Sequence, residues 1–280
     1  MLFLKIRYFF EYIPFYILTK ILSSLPFRVS VNIGKRLGRL LYRIDRKRRD
    51  IAIENISMAL GLERADADII VKKVFENLGM VFAEFVNIPR LGKDFFVDNI
   101  AVEGFENYLN ANNDGKGVLL LGAHLGNWEF NPPSHLTRVA AANVVYRKTK
   151  NPYVERFVDS IRRSCGLNTI PHRNSIREIM AALKRGEGVG LLLDQHTGEK
   201  EAIVVDFFGR PAATNIGLAV IALKTGTPVV PMFMIREGEK YRAVYEEPIR
   251  LHKTGDTERD IRDATIRFNY IIEKYVRRYP

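Results

Sequence analysis

Apolar residues in the first third of the chain recur at helical spacing. Between Arg48 and Asn87 they fall at Ile53, Ile56, Ala59 and Leu60, then at Ile69, Val74, Leu78, Val81 and Phe85, which predicts two or three amphipathic helices. Beyond Asn87 the pattern changes to short apolar runs separated by longer periodic stretches. Residues 95–102 read as a first edge strand, 103–112 as a helix closed by the Asn112-Asn113-Asp114-Gly115 turn, and 117–121 as a buried strand. Residues 142–146 form the next strand. A helix follows from Asn151-Pro152 to Cys165, with Pro152 at its first helical position and Gly166 as its stop. The pattern then predicts a helix over 175–185, a strand over 188–193 and an aromatic loop at 206–210. After these come a helix capped by Thr214 or Asn215, a strand over 228–235, its hairpin partner at 241–245 and a closing helix over 258–279. Strands and helices alternate, so the expected fold is α/β, with a mixed, largely parallel sheet flanked by helices. No internal linker interrupts it. Residues 26–280 are expected to form a single domain, with 26–93 as its leading helices, behind an apolar segment at 1–25.

That first segment is dense in Phe, Tyr, Ile and Leu but broken by Glu11, Pro14 and Lys20, and it lacks a signal-peptide cleavage pattern. Two readings stand: a helix in the membrane interface or marginally spanning it, with aromatic residues at headgroup level, or a buried amphipathic helix of a soluble domain. The basic residues that follow favour the membrane: Lys35, Arg36, Arg39, Arg43, Arg46, Lys47, Arg48 and Arg49.

Composition adds direction rather than detail. Of the 280 residues, 47% are hydrophobic and 27% charged, enough to bury a full core. Forty-three Lys and Arg against 32 Asp and Glu give a net charge of +11, so anionic partners are expected: nucleic acid, acidic lipid or an acidic carrier protein. A nucleic-acid binder would interleave aromatic and basic residues on one sheet face, a pattern that is missing. The single Cys165 excludes an internal disulfide framework, and the dispersed histidines lack zinc-site spacing, so no metal is expected.

The densest chemistry lies in Gly122-Ala123-His124-Leu125-Gly126-Asn127-Trp128-Glu129, where a buried strand delivers polar groups to a turn. On one continuous helix, residues five apart would point roughly 140° away from each other. His124 and Glu129 can therefore cooperate only if a helix begins between them, with Gly126 free to reverse the chain and Asn127 as the cap. The pair is then a general base oriented by a carboxylate. No serine or cysteine stands at an elbow here, so the hydroxyl to be activated belongs to the substrate. Other polar groups sit at predicted strand ends: Arg147 with Lys148, Asp194 with Gln195, and residues 231–236. In a parallel sheet these converge on one rim.

Taken in order, these blocks resemble the bacterial lipid A biosynthesis acyltransferases, the lauroyl and myristoyl transferases of the wider lysophospholipid acyltransferase superfamily. Gly122 to Glu129 is similar to the first block, and Arg48-Arg49-Asp50 with Asn55-Ile56 to the basic leading helix. Tyr146-Arg147, Asn151-Pro152 and Arg162 resemble the second block. Asp194-Gln195, Phe207-Phe208-Gly209 and Thr214 resemble the third, and Val229-Val230-Pro231 the fourth. The pattern departs from the family at His196, where many members carry an acidic residue, and at Tyr279-Pro280, where they continue into a tail rich in Trp and Arg.

The resemblance implies transfer of a fatty acyl group from acyl-carrier protein or coenzyme A to a hydroxyl of a lipid A precursor, at the cytoplasmic face of the inner membrane. His124 is implied as the base and Glu129 as its partner. Asn127, Arg147, Arg162, Asp194, Gln195, Phe207 and Phe208 are implied as substrate contacts. No metal or redox cofactor is needed. The same chemistry on another acceptor, such as a phosphatidylinositol mannoside or a glycerophospholipid, is the nearest alternative. A non-catalytic membrane-binding module is a third.

Overall fold

The computed structural model describes residues 2–173, 175–198 and 201–280. In chain order the leading helices are α1 (Leu2–Ser24), α2 (Phe27–Ile44), α3 (Arg46–Leu60) and α4 (Arg64–Asn87). Next come α5 (Lys93–Asn99), β1 (Ile100–Glu103), α6 (Phe105–Ala111), β2 (Val118–Gly122), α7 (Asn131–Leu136), β3 (Ala142–Tyr146) and α8 (Pro152–Ser164). The last part holds β4 (Asn168–Pro171), α9 (Ile176–Lys184), β5 (Gly188–Leu192), β6 (Ala202–Phe207) and β7 (Arg210–Asn215). It ends with α10 (Gly217–Thr225), β8 (Val229–Glu237), β9 (Lys240–Tyr245) and α11 (Thr257–Arg278). Contacts group these into two compact units, one of α1–α4 with Lys148–Cys165, the other of Lys93–Arg147 with Gly166–Tyr279.

In the helical unit α2 and α4 cross at glycines. A Cβ on Gly34 would lie 2.3 Å from the Gly79 carbonyl oxygen, and one on Gly79 only 2.0 Å from that of Gly34. Backbone therefore meets backbone, which only glycine permits. Polar pairs flank the crossing: Arg39 Nε donates to Glu76 at 2.6 Å, and Asn87 Nδ2 donates to Ser30 Oγ at 3.0 Å. Asp45 caps α3 by accepting from the Arg48 amide, and Asn151 caps α8 by accepting from the Tyr153 amide. Ile6, Phe10, Ile17 and Ile21 of α1 are exposed. Among the described residues no helix is long and apolar enough to cross a membrane.

The other unit is built on a seven-stranded sheet of order β1-β9-β8-β2-β5-β3-β4. The five strands from β8 to β4 run parallel, while β9 turns back against β8 as a hairpin with β1 parallel to it. This is the mixed, largely parallel sheet that the alternation of elements predicts. β2 sits in the middle and is buried along its whole length, as its unbroken apolar run requires. Leu119 and Leu121 face a core that includes Ile179, Leu218, Phe268 and Ile272 of α9, α10 and α11.

Two local readings need correction, and one strand was not read. Residues 95–99 are helical, because burial falls on Phe96 and Ile100, four apart, with Phe96 set edge-on to Phe130 at 5.3 Å. The short strand β4 has no alternation to betray it: its four residues end in Pro171 and are held by pairing with β3. The stretch at 206–210 is no open loop but the tip of the antiparallel hairpin β6–β7, with Phe208 and Gly209 both at positive φ, as a tight two-residue turn demands.

Candidate active site

β2 ends at Gly122, and His124 follows two residues later. The chain then reverses at Gly126, which has φ +56° and no room for a side chain, since a Cβ there would lie 1.9 Å from the Met234 carbonyl oxygen. Beyond the reversal a 3₁₀ turn, Trp128–Phe130, leads into α7. Asn127 stands at the start of that turn, fully buried, but its side chain makes no capping hydrogen bond, contrary to expectation.

The carboxylate that meets His124 comes from the neighbouring strand. Pairing sets Gly122 of β2 opposite Leu192 of β5, and the ladder continues with the Leu193 amide donating to the Gly122 carbonyl at 3.1 Å. His124 and Asp194 each lie two residues past that register point. Asp194 Oδ1 stands 2.8 Å from His124 Nδ1, and its Oδ2 accepts from the His124 backbone N–H at 2.8 Å. On the other edge of the ring, Gln195 Nε2 lies 3.4 Å from His124 Nε2. Trp128 packs against the ring edge-on, centroids 5.0 Å apart. The imidazole is 29% exposed and the Asp194 carboxylate 20%, so both are partly desolvated yet reachable. Among the described residues, Asp194 and Gln195 are the side chains within hydrogen-bonding distance of the ring. Glu129, half-buried on the 3₁₀ turn, is not one of them.

Beside Asp194 and Gln195 opens a cavity of about 600 Å³. Leu193, Val204, Phe207, Pro211, Ala212 and Ala213 give it apolar walls, and His196, Thr214 and Asn269 add polar ones. Asn269 Nδ2 ties the hairpin to α11 by donating to Thr214 Oγ1 at 3.0 Å.

The whole chain, residues 1–280, matches the family model described as bacterial lipid A biosynthesis acyltransferase. The chain belongs to that family. Over 266 residues it is 26% identical to the lipid A biosynthesis palmitoleoyltransferase of Escherichia coli (strain K12), covering 92% of this chain and 83% of that one. It is 24% identical to the lipid A biosynthesis lauroyltransferase of the same organism, with the same coverage of 92% and 83%. A phosphatidylinositol mannoside acyltransferase of Mycobacterium tuberculosis (strain ATCC 25618 / H37Rv) is 24% identical over 66% of this chain and 60% of its own length. Among solved structures, the 1-acyl-sn-glycerophosphate acyltransferase PlsC of Thermotoga maritima aligns with TM-score 0.38 and 16% identity, over 87% of this chain and 98% of that one.

In this lipid A biosynthesis family member the remaining sequence-derived positions fall in different places. Arg147 follows β3 directly and is exposed on the same rim as His124 and Asp194, because β2, β5 and β3 run parallel. Phe207 lines the cavity, while Phe208 turns outward onto α11, its amide donating to Glu273 at 2.7 Å and its ring under the Arg277 guanidinium at 4.9 Å. Arg162 belongs to α8 in the helical unit, where its guanidinium stands 5.8 Å from the Phe85 ring centre. Sequence reasoning assigned Asp194 to substrate contact and missed its hold on His124. The strand-end position was the signal; the partner was not.

Proposed function

We propose that this acyltransferase moves a fatty acyl group from the thioester of acyl-carrier protein or coenzyme A to a hydroxyl of a lipid A precursor. The observation that carries the reading is an imidazole at the end of the central parallel strand, fixed at Nδ1 by the carboxylate of Asp194, which itself lines the neighbouring cavity. His124 Nε2 removes the proton of the acceptor hydroxyl as its oxygen bonds to the thioester carbonyl carbon. The tetrahedral oxyanion then collapses, the carbon–sulfur bond breaks, and the imidazolium returns its proton to the leaving thiolate. Nothing is left on the enzyme. Backbone amides around Gly126 and Asn127, or the Arg147 guanidinium, stabilise the oxyanion, an effect worth about 3 kcal/mol per donor in known cases. The cavity walled by Phe207 receives the proximal acyl chain. Arg147 meets the phosphorylated acceptor, and the exposed stripe of α1 with the basic residues after it rests on the inner membrane's anionic cytoplasmic face. A phosphatidylinositol mannoside is the alternative acceptor that the mycobacterial relative motivates.

The test is direct. Purified full-length protein is incubated with acyl-carrier protein bearing a defined acyl chain and a lipid A precursor, and products are read by mass spectrometry. The acceptor is expected to gain one acyl group, and folded His124→Ala protein to form none. A wild-type-like yield from His124→Ala would overturn the mechanism. Acylation of phosphatidylinositol mannoside in place of the lipid A precursor would move the reading to the alternative acceptor.

A further inference from the structure

We propose that the outward face of α11, beside the cavity, is the docking surface for an acidic carrier protein that presents the acyl thioester. The inference rests on the acyl-transfer reading and gives the donor its place on the molecule. At 100° per residue, Arg259, Arg262, Ile266, Tyr270 and Arg277 fall within roughly 80° of one another around the helix, and all are exposed. Arg267, Lys274 and Arg278 continue the face on one side. Carboxylates neutralise part of this charge: Asp263 lies 3.8 Å from Arg259, Glu273 3.8 Å from Arg277, and Glu246 3.3 Å from Lys274. The other three guanidiniums meet uncharged groups. Arg262 donates to the Val204 carbonyl, Arg267 to the Arg250 carbonyl, and Arg278 stands over the Tyr279 ring. Their charge is left for a partner. Tyr270, 68% exposed, and Ile266, 42% exposed, stand amid these cations, an arrangement in which the aromatic ring anchors an acidic partner and the charges steer it.

The face adjoins the cavity. Three hydrogen bonds clasp β6 along α11: Arg262 Nη1 to the Val204 carbonyl at 3.1 Å, Asn269 Nδ2 to the Asp206 carbonyl at 3.3 Å, and the Phe208 amide to Glu273 at 2.7 Å. Val204 and Asn269 both line the cavity, and Val204 is also 58% exposed, so the cavity meets the surface next to Arg262. A carrier seated on α11 has its thioester-bearing arm at that opening. A bilayer would need a broad apolar stripe, such as the one on α1, whereas here two apolar side chains sit among cations. Coenzyme A would need its cations clustered around phosphates, whereas these are spread along about 28 Å of helix, from Arg259 to Arg278. That spread suits the carboxylates of a protein surface.

The experiment uses full-length wild-type protein, Tyr270→Ser, the double variant Arg259→Glu with Arg262→Glu, and Lys116→Glu as a charge-reversal control on the turn before β2. Binding of carrier protein with its thiol arm but no acyl chain is read by fluorescence anisotropy at several salt concentrations. Transfer to lipid A precursor is then compared for the same acyl chain on carrier protein and on coenzyme A. Wild type and Lys116→Glu are expected to bind the carrier, less tightly as salt rises. Tyr270→Ser should weaken binding about tenfold, as loss of a central aromatic anchor does, and the double variant should weaken it at least as much and flatten its salt dependence. Both should raise KM for the carrier-borne donor more than for the coenzyme A donor. Tyr270→Ser keeps the test decisive where loss of the Arg262 hydrogen bond loosens the hairpin. Wild type that binds no carrier, variants that bind it as wild type does, or equal losses with both donors would overturn the inference. So would a loss confined to phosphatidylglycerol vesicles, which would give this face to the bilayer. Absence of any transfer by wild type would instead sink the acyl-transfer reading, while carrier binding, measured without turnover, still decides the surface.

Discussion

Two histidines of this chain face opposite environments. His124 is partly exposed between its strand-end neighbours, whereas His135 is 1% exposed, with its Nδ1 2.9 Å from the Tyr245 hydroxyl and its Nε2 lacking a hydrogen-bond partner among the described residues. Burial holds His135 neutral, its pKa pushed down from 6.5 to about 4, with Arg138 adding to the effect. A depressed histidine pKa means that the unfolded chain binds the proton more readily than the folded one. The contribution is therefore complete above about pH 6.5 and is lost as pH falls toward 4, the loss amounting to about 3 kcal/mol. Replacing His135 with Gln should flatten the loss of stability between pH 6.5 and 4, measured by urea unfolding at several pH values. An equally steep acid limb in the variant would assign it to other groups. The two histidines look alike in the sequence, each a lone ring among apolar neighbours. What set His124 apart was the strand end and the glycines beside it. What could not be read there was its partner, because Asp194 lies 70 positions away and reaches the ring only through strand pairing.

Among elements, those with a long uniform period were legible and those defined by their neighbours were not. β3 was read at its observed bounds and α8 within a residue, since Asn151-Pro152 and Gly166 mark the helix ends chemically. β4 and the β6–β7 hairpin depend on pairing and on α11, for which no local pattern exists. The α2–α4 crossing falls between these cases. Apolar spacing announced α4 but was not read for α2, and nothing marked the glycines that let the two touch. Gly79→Ala would drive a Cβ into the Gly34 carbonyl, so the helices must part. It should cost about 3 kcal/mol, as overpacking does, and lower the thermal midpoint by several degrees. Gly92→Ala is the control, having an open site with no atom within 4 Å. Equal midpoints for the two variants would show that the crossing tolerates separation.

Across the whole molecule, charge and exposed apolar surface point to one setting. Ile6, Phe10, Ile17 and Ile21 lie within roughly 60° of one another around α1, so they form a single stripe. Basic residues of α2 and α3 follow directly in the chain. Full-length protein should sediment with vesicles containing anionic phospholipid, and Phe10→Ser with Ile17→Ser should cut that binding about tenfold or more, since each apolar side chain contributes of order 2 kcal/mol on burial. High salt should weaken what remains. Undiminished binding of the double variant would mean that another surface carries the attachment. The order of strands has a further consequence, for the time at which the enzyme comes into being. Both neighbours of the central strand β2, β5 and β8, come later in the chain. While a ribosome adds residues at about 5 to 20 per second, His124 waits roughly 4 to 14 s for Asp194 to be synthesised, and β2 longer still for its second neighbour. Until then the most apolar strand of the nascent protein has no sheet to join. The interval is a window in which chaperones or premature self-association compete for it, and slowing synthesis between β2 and β8 widens it.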